Sequence, residues 1–126
     1  MALEGKEPDR TPVFPLVRDW AIRHASMLRG FDAFMRDPYK MPDKVKALLE
    51  ITTLSQIYYG IACVHAGADV VQISDPSSSG DAVSPKVWEE FGLPYTKRVV
   101  DALKKMGVKI TMQYVAIPMI GWSHWP

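Results

Sequence analysis

Apolar positions follow helical spacing in one long stretch and strand-like runs in two short ones. Between 41 and 66, Val45, Leu48, Leu49, Thr52, Ile57, Tyr58, Ile61 and Ala62 recur at three- and four-residue steps. That spacing predicts a helix with one apolar stripe. Pro42 suits its first turn, Asp43 favours the positive end of its dipole, and Gly67 follows as a left-handed cap. Asp69-Val-Val-Gln-Ile-Ser74 is a β-branched run and predicts a buried strand of a parallel sheet. Ser84-Pro85 then opens a second helix, with serine as cap and proline at the first position. Pro94 breaks or kinks it. The helix resumes from Tyr95 to Met106 and stops at Gly107, and 108–115 form a second strand.

The N-terminal third is less regular. Pro8, Pro12 and Pro15 make 1–16 an extended arm, in which Val13, Phe14, Leu16 and Val17 supply one short buried strand. Residues 17–37 are expected as a helix in two pieces, with Gly30 inside the second and Asp37-Pro38 ending it. Residues 116–126 hold two tryptophans and two prolines without a period. The order helix, strand, long loop, helix, strand is a βαβ unit preceded by helices, with a right-handed crossover.

Composition narrows the class. The chain has 126 residues, a formal net charge of +1, 48% apolar and 23% charged residues, which suits one globular domain at most. Near-neutral charge gives no footprint for nucleic acid or an anionic membrane surface. No apolar run approaches the ~20 residues of a membrane span, and Met1–Arg10 lacks a signal-peptide core. Cys63 is the single cysteine, so neither an internal disulfide nor a multi-cysteine zinc site is available. A cytoplasmic location is expected.

The densest chemistry lies just after the first predicted strand, in Ile73-Ser-Asp-Pro-Ser-Ser-Ser-Gly-Asp81. Carboxyl ends of parallel strands are where α/β sheets keep their sites. Asp75 can accept from a substrate's N–H or O–H groups. Ser77, Ser78 and Ser79 can donate to a carboxylate, and Gly80 lets the backbone approach a ligand. Asp, Pro, Ser and Gly are equally the residues of an ordinary turn, and spacing alone leaves both readings open. Arg18, Arg23 and Arg29 offer planar forks for a substrate carboxylate, or else a solvated helix face. His24, His65 and His124 share no metal-ligand spacing, Cys63 suits a buried small hydrophobe, and Trp122 and Trp125 are either a binding patch or a loosely packed tail.

Two segments carry a family pattern. Gly67-Ala-Asp-Val-Val-Gln-Ile-Ser-Asp-Pro-Ser-Ser-Ser-Gly-Asp and Ser84-Pro-Lys-Val-Trp-Glu-Glu-Phe-Gly-Leu-Pro-Tyr-Thr-Lys-Arg-Val-Val resemble the uroporphyrinogen decarboxylase family, which also holds cobamide-dependent methyltransferases. The Asp-Pro-Ser-x-Ser-Gly-Asp form is closer to the methyltransferase-like branch. Leu3–Val13 resembles the family's opening, and Ala25-Ser-Met-Leu-Arg-Gly-Phe-Asp-Ala-Phe-Met-Arg-Asp resembles a segment from its middle. Together these stretches cover most of 3–112.

The resemblance implies a (β/α)8 TIM barrel, here a partial one: an α/β fragment with a βαβ unit and preceding helices. It implies decarboxylation of uroporphyrinogen acetate groups without a cofactor or, in the alternative, methyl transfer with zinc and a cobamide. Asp75, Ser77, Ser78 and Ser79 inherit a cleft-lining role. Arg18 or Arg23 inherits the carboxylate-binding role, although Val17-Arg-Asp-Trp-Ala-Ile-Arg-His differs from the decarboxylase's Arg-Gln-Ala-Gly-Arg signature. The implied ligand is a tetrapyrrole-type small molecule, with no nucleic acid and no membrane partner.

A whole barrel of this type needs about 250 residues, twice this length. The family opening (1–26) and a middle segment (27–112) are joined near His24–Met27, and the decarboxylase's key aspartate belongs to the region between them. The methyltransferase-like His-x-Cys-Gly motif is replaced by Gln113-Tyr-Val-Ala-Ile-Pro-Met-Ile-Gly121. One base deleted from a codon series for His-Ile-Cys-Gly-Asp-Thr-Asn-Asp-Arg yields that sequence, so 113–126 are expected to be a frameshifted tail. Loss of the motif argues against zinc on this chain. Unclosed barrel edges predict self-association. Two further readings stay open: a small interaction protein and a gene remnant.

Overall fold

A computed structural model describes residues 10, 13, 16–17, 21–74 and 83–113. The elements in chain order are β1 (Leu16–Val17), α1 (Ala21–Arg29), α2 (Phe31–Lys40), α3 (Pro42–His65), β2 (Val70–Ser74), α4 (Pro85–Phe91), α5 (Leu93–Lys104) and β3 (Lys109–Gln113). The strands form one parallel sheet in the order β1-β2-β3, with Gln72 opposite Leu16 on one side and Thr111 on the other. A central strand with parallel neighbours and helical crossovers is the partial α/β barrel expected from the sequence.

Local chemistry sets the boundaries. Gly30, at φ +88°, separates α1 from α2 rather than lying inside a helix. Pro38 sits within α2, which runs on to Lys40, so the expected stop at Asp37-Pro38 is displaced. A proline that late removes one helical bond, and the turn is held by Met41 N–H donating to the Asp37 carbonyl at 2.7 Å. Arg29 also anchors Asp37, its Nε 2.8 Å from Oδ2 of the buried carboxylate. Gly67, at φ +93°, closes α3 as expected. Its N–H donates to the Val64 carbonyl at 3.0 Å, and the Ala68 N–H donates to that of Cys63 at 3.1 Å. Ser84 caps α4, its Oγ accepting from the Val87 N–H at 3.4 Å. The break foreseen at Pro94 falls at Gly92, which leaves Pro94 in the first turn of α5.

Two apolar clusters share α3. Ile22, Ala25, Phe34, Val45, Leu49, Phe91 and Tyr95 pack among the helices. Val71 and Ile73 pack against Val99, Val100 and Leu103, with Ile57, Ile61 and Val64 of α3 alongside. Between them the buried face of α3 carries Thr52, Thr53 and Gln56. Thr52 Oγ1 satisfies itself by donating to the carbonyls of Leu48 (3.1 Å) and Leu49 (3.2 Å).

The single stripe expected on α3 is therefore incomplete as a description. Tyr58 and Ala62, assigned to that stripe, are exposed, and the helix is apolar on both faces. By length and composition its 24 residues suffice to cross a membrane, contrary to the expectation that no segment would. Thr52, Thr53 and Gln56 are polar but uncharged, so they interrupt an apolar run without introducing charge. Packing against α1, α2 and α5 makes α3 a shared core helix of the described fold.

Candidate functional site

Because the strands are parallel, their carboxyl ends share one edge, formed by Val17, Ser74 and Gln113. Side chains alternate between the two faces of a strand. Val71 and Ile73 enter the helical layer. Gln72 and Ser74 therefore project from the opposite face, the inward one in a barrel. Thr111 stands beside Gln72 in register and shares that face. Its Oγ1 is buried without a hydrogen-bond partner within the described structure. Gln72, Ser74 and Thr111 thus form a polar row leading to the carboxyl edge of the sheet.

Sequence reasoning missed Gln72 and Thr111. The signal was present, because a parallel strand buried on both faces is normally a continuous apolar run, and Gln72 interrupts one. Asp75, Ser77, Ser78, Ser79 and Arg18 lie outside the described residues. Arg23 is half-buried in the first turn of α1, the helix that follows the carboxyl end of β1, and its carbonyl accepts from Ser26 Oγ at 2.7 Å. Arg29, the weaker carboxylate clamp, is committed to Asp37. Next to Arg23, the His24 ring places Nδ1 3.4 Å from Gln56 Nε2, while Gln56 Oε1 is buried without a partner among the described residues.

A separate cavity of about 70 Å³ lies among Ile22, Phe34, Tyr39, Ser84, Trp88 and Phe91. Ligand chambers measure roughly 300–1,000 Å³, so this is a gap in the helical layer and not a tetrapyrrole chamber. Shifted ionisations also fall away from the strand ends. Tyr95 is pushed up by burial and by the Glu50 charge, and Tyr59 is pushed up by the Cys63 thiol. Glu90 holds Lys46 protonated to higher pH. Asp69, at the amino end of β2, is held low by the Val13 N–H and by Arg10. Among the described residues no three His, Cys, Asp or Glu side chains converge, so they offer no ligand set for zinc.

The family model for uroporphyrinogen decarboxylase matches residues 21–121. The chain belongs to the uroporphyrinogen decarboxylase family. Its relatives in that family carry two activities. It is 36% identical over 77 residues to the methylcobamide:CoM methyltransferase MtbA of Methanosarcina mazei, covering 61% of this chain and 23% of that protein. It is 35% identical over 72 residues to a uroporphyrinogen decarboxylase of Geotalea daltonii, covering 57% of this chain and 21% of that one. A solved methyltransferase from Methanosarcina mazei superposes with a TM-score of 0.77 at 28% identity, over 88% of this chain and 32% of the other. The chain thus spans about a quarter of the length of these curated relatives.

Proposed function

We propose that this chain forms one wall of a tetrapyrrole-binding chamber, and that the parent reaction is decarboxylation of uroporphyrinogen acetate side chains. The observation that carries this reading is the polar row Gln72, Ser74 and Thr111 on the inward face, which in sequence runs directly into residues 75–82. In the reaction each acetate carboxylate leaves as CO2, and the carbon left behind gains a proton to become a methyl group. Asp75 accepts from pyrrole N–H groups, Ser77, Ser78 and Ser79 donate to peripheral carboxylates, and Arg18 and Arg23 pair with those carboxylates. No cofactor is required for these roles. The work takes place in the cytoplasm. The three strands among the described residues make one side of an eight-stranded barrel.

A second reading is cobamide-linked methyl transfer, favoured by the solved methyltransferase that superposes on most of the chain. A cobamide is also a tetrapyrrole, and the described residues supply no zinc site for the thiol half of that reaction. Parallel titrations with uroporphyrin and methylcobalamin, followed by fluorescence and absorbance, separate the two. Uroporphyrin binding weakened about tenfold by Asp75→Ala, with an unchanged Tm, is the expected result. Binding of methylcobalamin alone selects the second reading. Equal loss of affinity and Tm marks the loop as a plain turn.

A further inference from the structure

We propose that Thr53 and Gln56 bind an internal water molecule on the buried face of α3, at the border between the two apolar clusters. Thr53 is 0% exposed and Gln56 7%. Thr53 Oγ1 and Gln56 Oε1 are both buried without a hydrogen-bond partner among the described residues. A buried polar atom left unsatisfied costs more than an ordinary hydrogen bond returns, so folds pair such atoms with protein or with ordered water. Two of them, three residues apart on one helix face, call for a shared partner.

The spacing suits a single bridging oxygen. Residues three apart on a helix have Cβ atoms roughly 5–6 Å from each other. Two hydrogen bonds of about 2.8 Å through one oxygen span that distance. Direct pairing does not occur, since Thr53 Oγ1 reaches neither a carbonyl nor the Gln56 amide. The neighbouring turns of α3 are filled. Towards the C-terminus, Gly60 lies against the Leu103 side chain. Towards the N-terminus, Leu49 packs in one cluster with Ala25 of α1. The α1 residues that follow His24, Ala25 and Ser26, are small and buried, and Ser26 Oγ is turned back to the Arg23 carbonyl at 2.7 Å.

The hydrogen-bonding groups identify the occupant. Gln56 Nε2 lies 3.4 Å from His24 Nδ1. An unprotonated Nδ1 accepts from that amide, and the amide oxygen is left for the site. With the amide turned over, its oxygen accepts from a protonated Nδ1 and its NH2 group is left instead. Water serves both arrangements, because it donates and accepts, as the Thr53 hydroxyl does. Two polar partners meet the minimum for a buried water. A divalent cation requires six or more oxygen ligands, largely carboxylates. Among the described residues no three His, Cys, Asp or Glu side chains converge, and the buried Asp37 carboxylate is taken by Arg29. An apolar occupant would leave both atoms unsatisfied. The bridge holds Gln56, and through it His24 of α1, at a fixed turn of α3, so α1 cannot slide along an otherwise apolar contact without breaking it.

Urea unfolding of Thr53→Val, Gln56→Leu and the double variant in the full chain tests the bridge. Each single change is expected to lower the folding constant about fivefold, because it strips the water of a partner. The double variant, which removes the site as a unit, is expected to fall by much less than the product of the two. Magnetic relaxation dispersion of the water oxygen nucleus reads the occupant directly. Thr53→Val is expected to show one long-lived water fewer than the wild type, and Thr53→Ser, which keeps the hydroxyl, to retain it. The proposal is overturned if Thr53→Val folds as tightly as the wild type or more so, which is the result for a hydroxyl buried without any partner. It is equally overturned if the two effects simply multiply, if the wild type and Thr53→Val hold the same number of long-lived waters, or if Thr53→Ser loses the water as valine does.

Discussion

The two faces of β2 differ at its carboxyl half. Val71 and Ile73, 0% and 1% exposed, are packed under Val99, Val100 and Leu103. One residue away along the strand, Gln72 and Ser74 are half-buried and polar. The first face supplies transfer free energy and fixes the strand against its helices, whereas the second carries polar side chains. Stability and function are thereby separated by a single step of side-chain alternation. The largest effect expected from this contrast is at Ile73. Truncation to alanine in a fully enclosed site costs about 3 kcal/mol, while Gln72→Leu costs less than about 1 kcal/mol. Urea unfolding of both variants measures the difference, and equal losses would break the contrast.

A smaller effect sharpens it from the helical side. A Cβ added at Gly60 would lie 2.6 Å from Leu103 Cδ2, the end of a side chain that itself covers β2. Overpacking costs about 1–3 kcal/mol, and alanine returns about 1 kcal/mol of helix propensity, so Gly60→Ala should lose about 1 kcal/mol net. Chemical denaturation tests this. A gain in stability would mean that Leu103 moves freely and that the apolar face is loosely packed.

The helix-covered face was legible in the sequence because its signals are local. Ser84-Pro85, Gly67 and Asp69–Ser74 each declare a cap or a strand within a few residues, and the structure places each one there. Pro38 misled because a proline's effect depends on how much helix follows it, and only two residues of α2 do. Tyr58 misled because a helical period identifies a face but not which face is inward when both are apolar. The polar row was harder to read, since Gln72 and Thr111 lie far apart in sequence and become neighbours only through the register of β2 with β3. The family pattern in the loop was legible at once, because it is carried by residue identity.

The amino end of β2 contrasts with its carboxyl end. Asp69 fastens the N-terminal arm there. Its carboxylate accepts from the Val13 N–H and from Arg10, both at 2.8 Å, while its own N–H donates to the Val13 carbonyl at 3.0 Å. Hydrogen bonding and the Arg10 charge lower its folded-state pKa below the ordinary 3.8, partly offset by desolvation. The ionised form is thus favoured in the folded chain. The resulting stabilisation is complete above the unfolded-state pKa and disappears as pH falls through the folded one. Melting from about pH 7 to about pH 2 should show Asp69→Asn less stable than wild type near neutrality, with the two converging in acid. A constant gap would place the Asp69 contribution in neutral hydrogen bonds instead.

The smallest expected effect is the most specific to the polar face. Among the described residues Thr111 Oγ1 is buried without a partner, and valine replaces its hydroxyl with a methyl group of nearly the same shape. Burying an unsatisfied hydroxyl costs about 1–3 kcal/mol, so a structural bystander gains from the change. Thr111→Val should therefore leave the unliganded chain as stable or slightly more stable, by up to about 1 kcal/mol, and weaken uroporphyrin binding. A loss of stability without a loss of affinity would give the hydroxyl a structural role and move Thr111 to the packing side of the contrast. The opposite result, retained stability with weakened binding, is what separates an inward face built for a ligand from one that merely tolerates polar residues.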